Sequence, residues 1–413
     1  MSSENQNSES ARDSNAPSSS VFAFCRTVLI VVLAGYLIFT FLKTNPRFQE
    51  MLRKWSDAQT GAVGGVLSVS GETMGTYWNV KVSNPSRKWN ETRLAETAQN
   101  VFDRFDGLMS TYRADSEISL FNRNGSTDWF PVSAETARVA ALAQKTAAET
   151  EGALDVTVAP LVNFWRFGPD KEPLAVFPSD EEIDAIRAKV GYAKLEVRLD
   201  PPALKKSIPD LSVDLSAVAK GAAVDAAADR LAEELEKNAI SGFMIDVGGE
   251  VRCGGIKGLA APGNPEQGVQ PWTLGIELPI DSAPDDAQAG AAPRLARVVR
   301  VQSGAIATSG GARNAFVIGG KRFSHIIDPA TGKPSELADG APRVGSVSVF
   351  LPSCAEADAY ATALCVLGPD RGLDLANRLE IPVLFQMKNA DGTFAELTSG
   401  AFGNIDSEPV AAD

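Results

Sequence analysis

Apolar residues recur every three to four positions after Asn90, at Leu94, Ala98, Val101, Phe102, Phe105 and Leu108, the spacing of one helical face turned to a core. Asn90 precedes that face, and its side-chain oxygen suits a helix N-cap. A second helix is predicted from Ser133 to about Glu151, where Gly152 stops it. A short third one starts at Ser179, whose partner Glu182 makes a capping box. An alanine-rich helix follows Ser216 and runs to about Leu235, and another spans Ala355 to about Leu367. Elsewhere the period changes to two. Thr76-Tyr77-Trp78-Asn79-Val80-Lys81-Val82 alternates as a strand does, and Phe243 to Val251 reads as strand, Gly248-Gly249 turn, strand. Ser346 to Phe350 is a further strand, and Asp391-Gly392 marks a hairpin turn. Ser324-His325-Ile326-Ile327 reads as a strand running into the turn Asp328-Pro329-Ala330-Thr331-Gly332. Met109 to Ser119 reads as a polar segment and Thr308 to Asn314 as a small, donor-rich loop. Val213-Asp214-Leu215 reads as a strand passing into the alanine-rich helix. Helices and strands alternate irregularly, without repeated βαβ units, so the predicted fold class is α+β and not a doubly wound sheet.

The N-terminal pattern is of another kind. Residues 1–20 are rich in Ser, Asn and Glu and read as a disordered tail. Residues 21–42, Val21 to Leu42, are apolar except for Arg26. The unbroken run from Thr27 is short of the about 20 residues that a bilayer needs, but it becomes long enough if Arg26 reaches the headgroups. No small-residue cleavage site follows Leu42, so an uncleaved single transmembrane anchor is predicted. Residues 43–65 then form a stalk, 66–400 the folded domain and 401–413 a flexible tail. Lys43, Arg47, Arg53 and Lys54 after the span outnumber Arg12 and Arg26 before it, a bias that by itself would place the domain in the cytoplasm.

Composition narrows the function. The chain has 413 residues, ample for a core, and a net charge of −13, which argues against a nucleic-acid partner. A phosphate ligand stays open, because local donors and a metal can serve it. Cys253, Cys354 and Cys365 show no metal-type spacing and read as buried free thiols. Residues 281–295, rich in Ala, Asp, Pro and Gly, read as a surface loop.

Candidate chemistry lies in several short segments. His325 is the single histidine, and histidine is the side chain whose ordinary pKa suits proton transfer near neutrality. Alone, a histidine at a strand end is an ordinary solvated residue. Asp358 and Thr362, at i and i+4 on an otherwise apolar helix, offer oxygen ligands to magnesium or calcium, or simply cap neighbouring groups. At Ser216-Ala217-Val218-Ala219-Lys220-Gly221, a helix start, a lysine and a glycine could receive an anion, although a tight strand–helix junction has the same composition. Thr308-Ser309-Gly310-Gly311 with Arg313 has the donors of a phosphate site. Met74-Gly75-Thr76 and Met109-Ser110-Thr111-Tyr112 could line a flat ring or form turns.

The order of these motifs, with Asp155-Val156-Thr157-Val158, Asp214-Leu215-Ser216, Gly248-Gly249-Glu250 and Glu356-Ala357-Asp358, resembles the ApbE family, the FAD:protein FMN transferases, over residues 68–400. The resemblance implies one compact ApbE-like, T-fold-related domain after the transmembrane helix. It implies FAD as substrate, a divalent cation (Mg2+, or Ca2+), and transfer of the FMN half to a Thr or Ser hydroxyl of a target protein with release of AMP. Carried over residue by residue, the metal falls to Asp358, Thr362 and the backbone of Ala219, and the catalytic position to His325; by its own chemistry Asp328 could orient that histidine or take the proton itself. Met74, Ser110, Thr111, Asp155 and Ile327 fall at flavin or adenine contacts. Tyr112 stands beside the flavin segment, and Lys220 and Arg313 would face the diphosphate. The family's habit of export places the catalytic domain on the exported side of the cytoplasmic membrane, near a membrane redox subunit as target. Two departures stand out: a membrane span replaces a lipidated cysteine, and Gly310-Gly311-Ala312-Arg313-Asn314 lacks the bulkier residue common in the family. Hydrolysis of FAD to FMN and AMP, and non-catalytic flavin binding, are the alternative readings.

Overall fold

Strands β1 (Val66–Thr73) and β2 (Thr76–Ser83) pair in full register across a two-residue turn, Met74-Gly75. Both turn residues have positive φ, 48° and 72°, the geometry that matches the twist of a hairpin. The computed structural model describes residues 65–410 except 169–173, 175, 238, 260–268, 281–293, 312–314 and 339. The expected tail, the anchor, nearly all of the stalk, most of the 281–295 loop and Arg313 therefore lie outside the described residues. Among the described residues no helix is long and apolar enough to cross a membrane.

Helix α1 (Glu91–Met109) starts where expected, with Asn90 Oδ1 accepting from the Arg93 amide at 2.9 Å, and it buries Leu94, Ala98, Phe102, Phe105 and Met109. The next segment corrects the sequence reading. Ser116 caps a helix, α2 (Glu117–Arg123), which buries Ile118 and Phe121; three apolar residues in so short an element, one of them the exposed Leu120, are too few to show a period. The small strand β3 (Phe130–Pro131) precedes α3 (Ala134–Glu149). Helices α4 (Ala159–Phe164) and α5 (Asp180–Arg187) follow, the latter with the full Ser179–Glu182 capping box. β4 (Leu195–Leu199) and β5 (Pro202–Lys206) join β3 in the order β3-β5-β4.

Residues 207–215 are not a strand. Asn122 holds them instead, donating to the Val213 carbonyl at 2.8 Å and accepting from its amide at 2.7 Å. They deliver the chain to α6 (Ser216–Glu236). β6 (Gly242–Val247) and β7 (Glu250–Gly255) form the expected hairpin, and β8 (Gly258–Leu259), β9 (Val269–Gln270), β10 (Trp272–Glu277) and β11 (Leu295–Val301) follow. β12 (Gly304–Gly310) contains the Thr308-Ser309-Gly310 expected in a loop, paired through Thr308 with Ser348 and through Gly310 with Ser346. Thr308 Oγ1 meets Ser348 Oγ across the ladder at 2.8 Å and Ser309 Oγ meets Thr362 Oγ1 of a later helix at 3.1 Å, so a central strand accepts these short polar side chains. β13 (Ala315–Ile318), β14 (Lys321–Asp328) and β15 (Lys333–Glu336) make a separate antiparallel sheet. β16 (Arg343–Leu351) leads into α7 (Cys354–Arg378), which breaks at Gly368 (φ 73°) and Pro369, next to its expected end. β17 (Val383–Lys388) and β18 (Phe394–Thr398) close the main sheet around the Asp391-Gly392 turn. The expected flexible tail is also corrected: Phe402 is buried and β19 (Ser407–Pro409) pairs with β11.

The main sheet has eight strands in the order β1-β2-β6-β7-β12-β16-β17-β18, every neighbouring pair antiparallel. One face packs on α1, α6 and α7 through alternate residues such as Trp78, Val80, Ala305, Val347 and Val349. On the other face Ile306, Phe350 and Leu384 meet Ile276, Val299 and Phe402 of the β10-β11-β19 layer and its neighbour. The two-residue alternation of a strand thus builds two cores from one sheet. A smaller core of Leu161, Trp165, Ile183, Phe323 and Ile327 joins α4 and α5 to β14. Trp165 Nε1 donates to the Gly332 carbonyl at 2.7 Å, securing the turn after β14.

Candidate functional site

Several element ends meet at one cleft of about 1210 Å³. Its residues come from the β1–β2 turn, the C-terminus of α1, the 153–158 segment, the start of α6, the β6–β7 turn, the ends of β10, β12 and β14, and the first turns of α7. Loops and element ends carry side chains that no ladder or helix interior claims, which is why a site forms there. Met74, Ser110, Thr111, Tyr112, Asp155, Ala219, Lys220, His325, Ile327, Asp358 and Thr362 all line it. Of the residues singled out from sequence, Asp328 does not line it and Arg313 lies outside the described residues.

At one side of the cleft α6 and α7 touch. Asp358 is buried, and its Oδ2 accepts from the Gly221 amide at 3.1 Å. One turn on, Thr362 Oγ1 lies 3.1 Å from Ser309 Oγ of β12. Glu250, the first residue of β7, is buried with Oε1 2.5 Å from Lys220 Nζ. Its other oxygen, Oε2, has no hydrogen-bond partner among the described residues. Burial raises the Glu250 carboxyl, Lys220 opposes that, and Asp358 adds to it. Burial also raises Asp358, against the pull of Lys220 and of the Gly221 amide. Lys220 is raised although burial lowers it, because Asp358 and Glu250 together outweigh the desolvation. Two buried carboxylates thus share one ammonium, leaving an excess of negative charge that a cation would neutralise. The donors are all oxygens: a carboxylate, a hydroxyl, an unsatisfied carboxylate oxygen and the backbone at Ala219. That set fits a hard divalent cation such as magnesium. Among the described residues no group of three or more His, Cys, Asp and Glu could hold a metal ion by itself, so the Thr362 hydroxyl and a backbone carbonyl would have to complete the set.

Lys220 lines the cleft as the phosphate reading requires, and the structure adds an ion pair to Glu250 and the nearby charge of Asp358. Glu250 is the site residue to which sequence reasoning gave no role. The available signal was its position directly after Gly248-Gly249, whose φ values of 65° and 108° turn the chain sharply into the cleft.

Gly221 explains how the two helices approach. A Cβ there would lie 2.4 Å from the Cys354 carbonyl oxygen and 2.8 Å from Ala355 Cα, both backbone atoms. Gly221→Ala is therefore expected to destabilise the domain by about 1–3 kcal/mol through overpacking, read as a lower urea midpoint at unchanged slope.

His325 lies near the end of β14, exposed, with its neighbours Ser324 and Ile327 buried. The expected role of Asp328 in orienting it is corrected. Asp328 Oδ1 accepts from the Ala330 amide at 2.9 Å and Oδ2 from Thr331 Oγ1 at 3.1 Å, so both oxygens build the turn that ends the strand. An Asp before Pro-Ala-Thr-Gly is a turn-former for that reason. Asp155 caps a local turn through Thr157, and burial raises its carboxyl. Asp214 Oδ1 accepts from the amide and hydroxyl of Ser216 at the start of α6. At another edge of the cleft Phe167 stacks on Phe316 with centroids 4.4 Å apart, and Tyr112 donates to the Phe167 carbonyl at 3.1 Å. Among the described residues the three cysteines are free thiols; Cys253 and Cys354 are buried, while Cys365 is only partly so.

One cleft larger than most small-molecule pockets, with hard oxygen donors on one side and an imidazole in its lining, has room and donors for a large ligand together with a divalent cation. The family model for the ApbE family matches residues 74–385. The chain is 41% identical over 337 residues to the FAD:protein FMN transferase of Vibrio cholerae serotype O1, covering 81% of this chain and 91% of that protein. It is 38% identical over 328 residues to the FAD:protein FMN transferase of Escherichia coli strain K12, covering 79% and 85%. The solved flavin transferase ApbE from Vibrio cholerae superposes with a TM-score of 0.68 at 38% identity, over 83% of this chain and 99% of that one. The flavinyl transferase ApbE of Pseudomonas stutzeri gives 0.68 at 30% identity, over 84% and 98%. This chain belongs to the ApbE family and is a transferase with the ApbE fold.

Proposed function

We propose that this protein moves the FMN half of FAD onto a Thr or Ser hydroxyl of a target protein and releases AMP, with magnesium required. The observation that carries the reading is that His325, Asp358 and Thr362 line one cleft. Its volume of about 1210 Å³ suits a dinucleotide better than a mononucleotide. Met74, Ser110, Thr111 and Ile327 offer apolar and hydroxyl surface to a flavin or adenine ring. The acceptor hydroxyl oxygen forms a bond to the FMN phosphorus while the phosphorus–oxygen bond toward AMP breaks, and AMP leaves with the bridging oxygen. His325 takes the hydroxyl proton, the role of a general base. Asp358, Thr362 and the Ala219 carbonyl would hold the cation, which supplies charge stabilisation at the diphosphate. Lys220, kept cationic by its two carboxylates, adds a positive charge beside that site.

The apolar stretch 21–42 supports a membrane tether; the exported side for the domain and a membrane redox subunit as acceptor rest on the family resemblance, against the charge bias around the span. Incubating the full chain with FAD, magnesium and membrane proteins tests the reaction. Mass spectrometry is expected to find FMN esterified to a Thr or Ser of one acceptor. Free FMN and AMP with no labelled protein would replace transfer by hydrolysis, and intact FAD would reduce the protein to a flavin-binding module.

A further inference from the structure

Asp225 lies outside the cleft, on α6 one turn beyond Gly221, yet it holds the start of the helix that carries the cation ligands. Its Oδ1 accepts from the Cys354 amide at 2.9 Å, and its Oδ2 accepts from Ser353 Oγ at 2.7 Å and from the Ala355 amide at 3.0 Å. Arg252 of β7 donates to the same carboxylate at 2.7 Å and reaches Asp229 at 3.3 Å. A helix N-terminus needs acceptors for its first amides, and the residue just before it ordinarily supplies one. Ser353 does so here, its hydroxyl accepting from the Glu356 amide at 3.2 Å. A carboxylate from another helix takes further donors of the same turn, and a guanidinium from the sheet fixes that carboxylate in turn.

The contact is reciprocal. Asp225 of α6 grips the first turn of α7, and Asp358 of α7 accepts from the Gly221 amide of α6. Gly221, lacking a side chain, lets the two helices meet at backbone distance between those clasps. The Ala219 backbone belongs to one helix and Asp358 and Thr362 to the other, so the separation of the candidate ligands is the separation of the helices.

We infer that Asp225 is a positioning residue for the divalent cation: it sets α7 against α6 so that the two sets of oxygens stand at the spacing a small ion requires. The inference rests on the metal reading proposed above. Magnesium demands near-ideal octahedral geometry with short bonds, whereas calcium tolerates irregular and longer ones. Loosening the clasp therefore penalises magnesium more than calcium, an asymmetry that general destabilisation does not produce.

Isothermal titration of the full chain with magnesium alone and with calcium alone, free of FAD, tests this. Asp225→Ala is expected to weaken magnesium binding by about 10–100-fold, the usual loss when an outer-shell partner is removed, and calcium binding by distinctly less. Asp225→Asn, which keeps one acceptor oxygen, should fall between this variant and the wild type, and it decides the matter if the alanine variant does not fold. Equal loss of both ions, or no loss of either, overturns the positioning role. Asp358→Ala separates the two failures. If it binds magnesium as the wild type does, or if the wild type binds neither ion, the metal reading falls and the inference with it.

Discussion

Asp358→Ala is expected to lower flavin transfer by about 10³-fold or more, because a bound cation contributes several kcal/mol of charge stabilisation and each 1.36 kcal/mol is tenfold in rate. In-gel flavin fluorescence on the acceptor measures it. The fold should survive. Asp358 is buried beside Glu250, and the two carboxylates share the Lys220 ammonium, so removing one leaves a neutral Glu250–Lys220 pair. The Gly221 amide loses its acceptor, a cost of about 1–3 kcal/mol, and relief of the carboxylate repulsion offsets part of it. Added magnesium should raise the melting temperature of the wild type and leave that of the variant where it was, since a ligand stabilises only a state that binds it. A variant that transfers flavin at the wild-type rate would show that the ligand assignment is wrong.

His325→Ala should separate binding from chemistry. The side chain is exposed at the end of β14, and substitutions at such positions usually change stability by no more than about 0.5 kcal/mol. Loss of a general base costs about 10²–10⁴-fold in rate. Transfer should fall by that amount with FAD binding, measured by quenching of flavin fluorescence, close to the wild type. If AMP release continues at full rate while acceptor labelling stops, His325 serves the acceptor alone. If both continue unchanged, the proton goes elsewhere and the mechanism fails.

The local features that sequence reveals are those whose cause is local. Asn90 and Ser179 cap helices through groups three residues away, and the structure has both caps. Asp358 and Thr362 share a helix face because 3.6 residues make a turn, and both line the cleft. The Ile326-Ile327 run becomes a strand, and the following turn ends it. The α2 helix is not legible in the sequence because its cap, Ser116, serves only a short element with a brief apolar pattern. Thr308-Ser309-Gly310 reads as a loop because small polar residues resemble one until a partner strand pairs with them.

By itself, then, the sequence determined the α+β class, most helices, the hairpin at Gly248-Gly249 and the family resemblance, all through short-range spacing or motif order. It is also the sole basis for the membrane tether. Only the tertiary structure decided that Lys220 faces Glu250 and Asp358, that a Glu250 oxygen has no partner among the described residues, that Asp328 builds a turn, and that Asp225 grips α7. Except at the Asp328 turn, these contacts join residues far apart in the chain, and no periodicity encodes them. They follow from which strands pair and from how closely α6 and α7 pack, and Gly221 permits that approach by having no side chain.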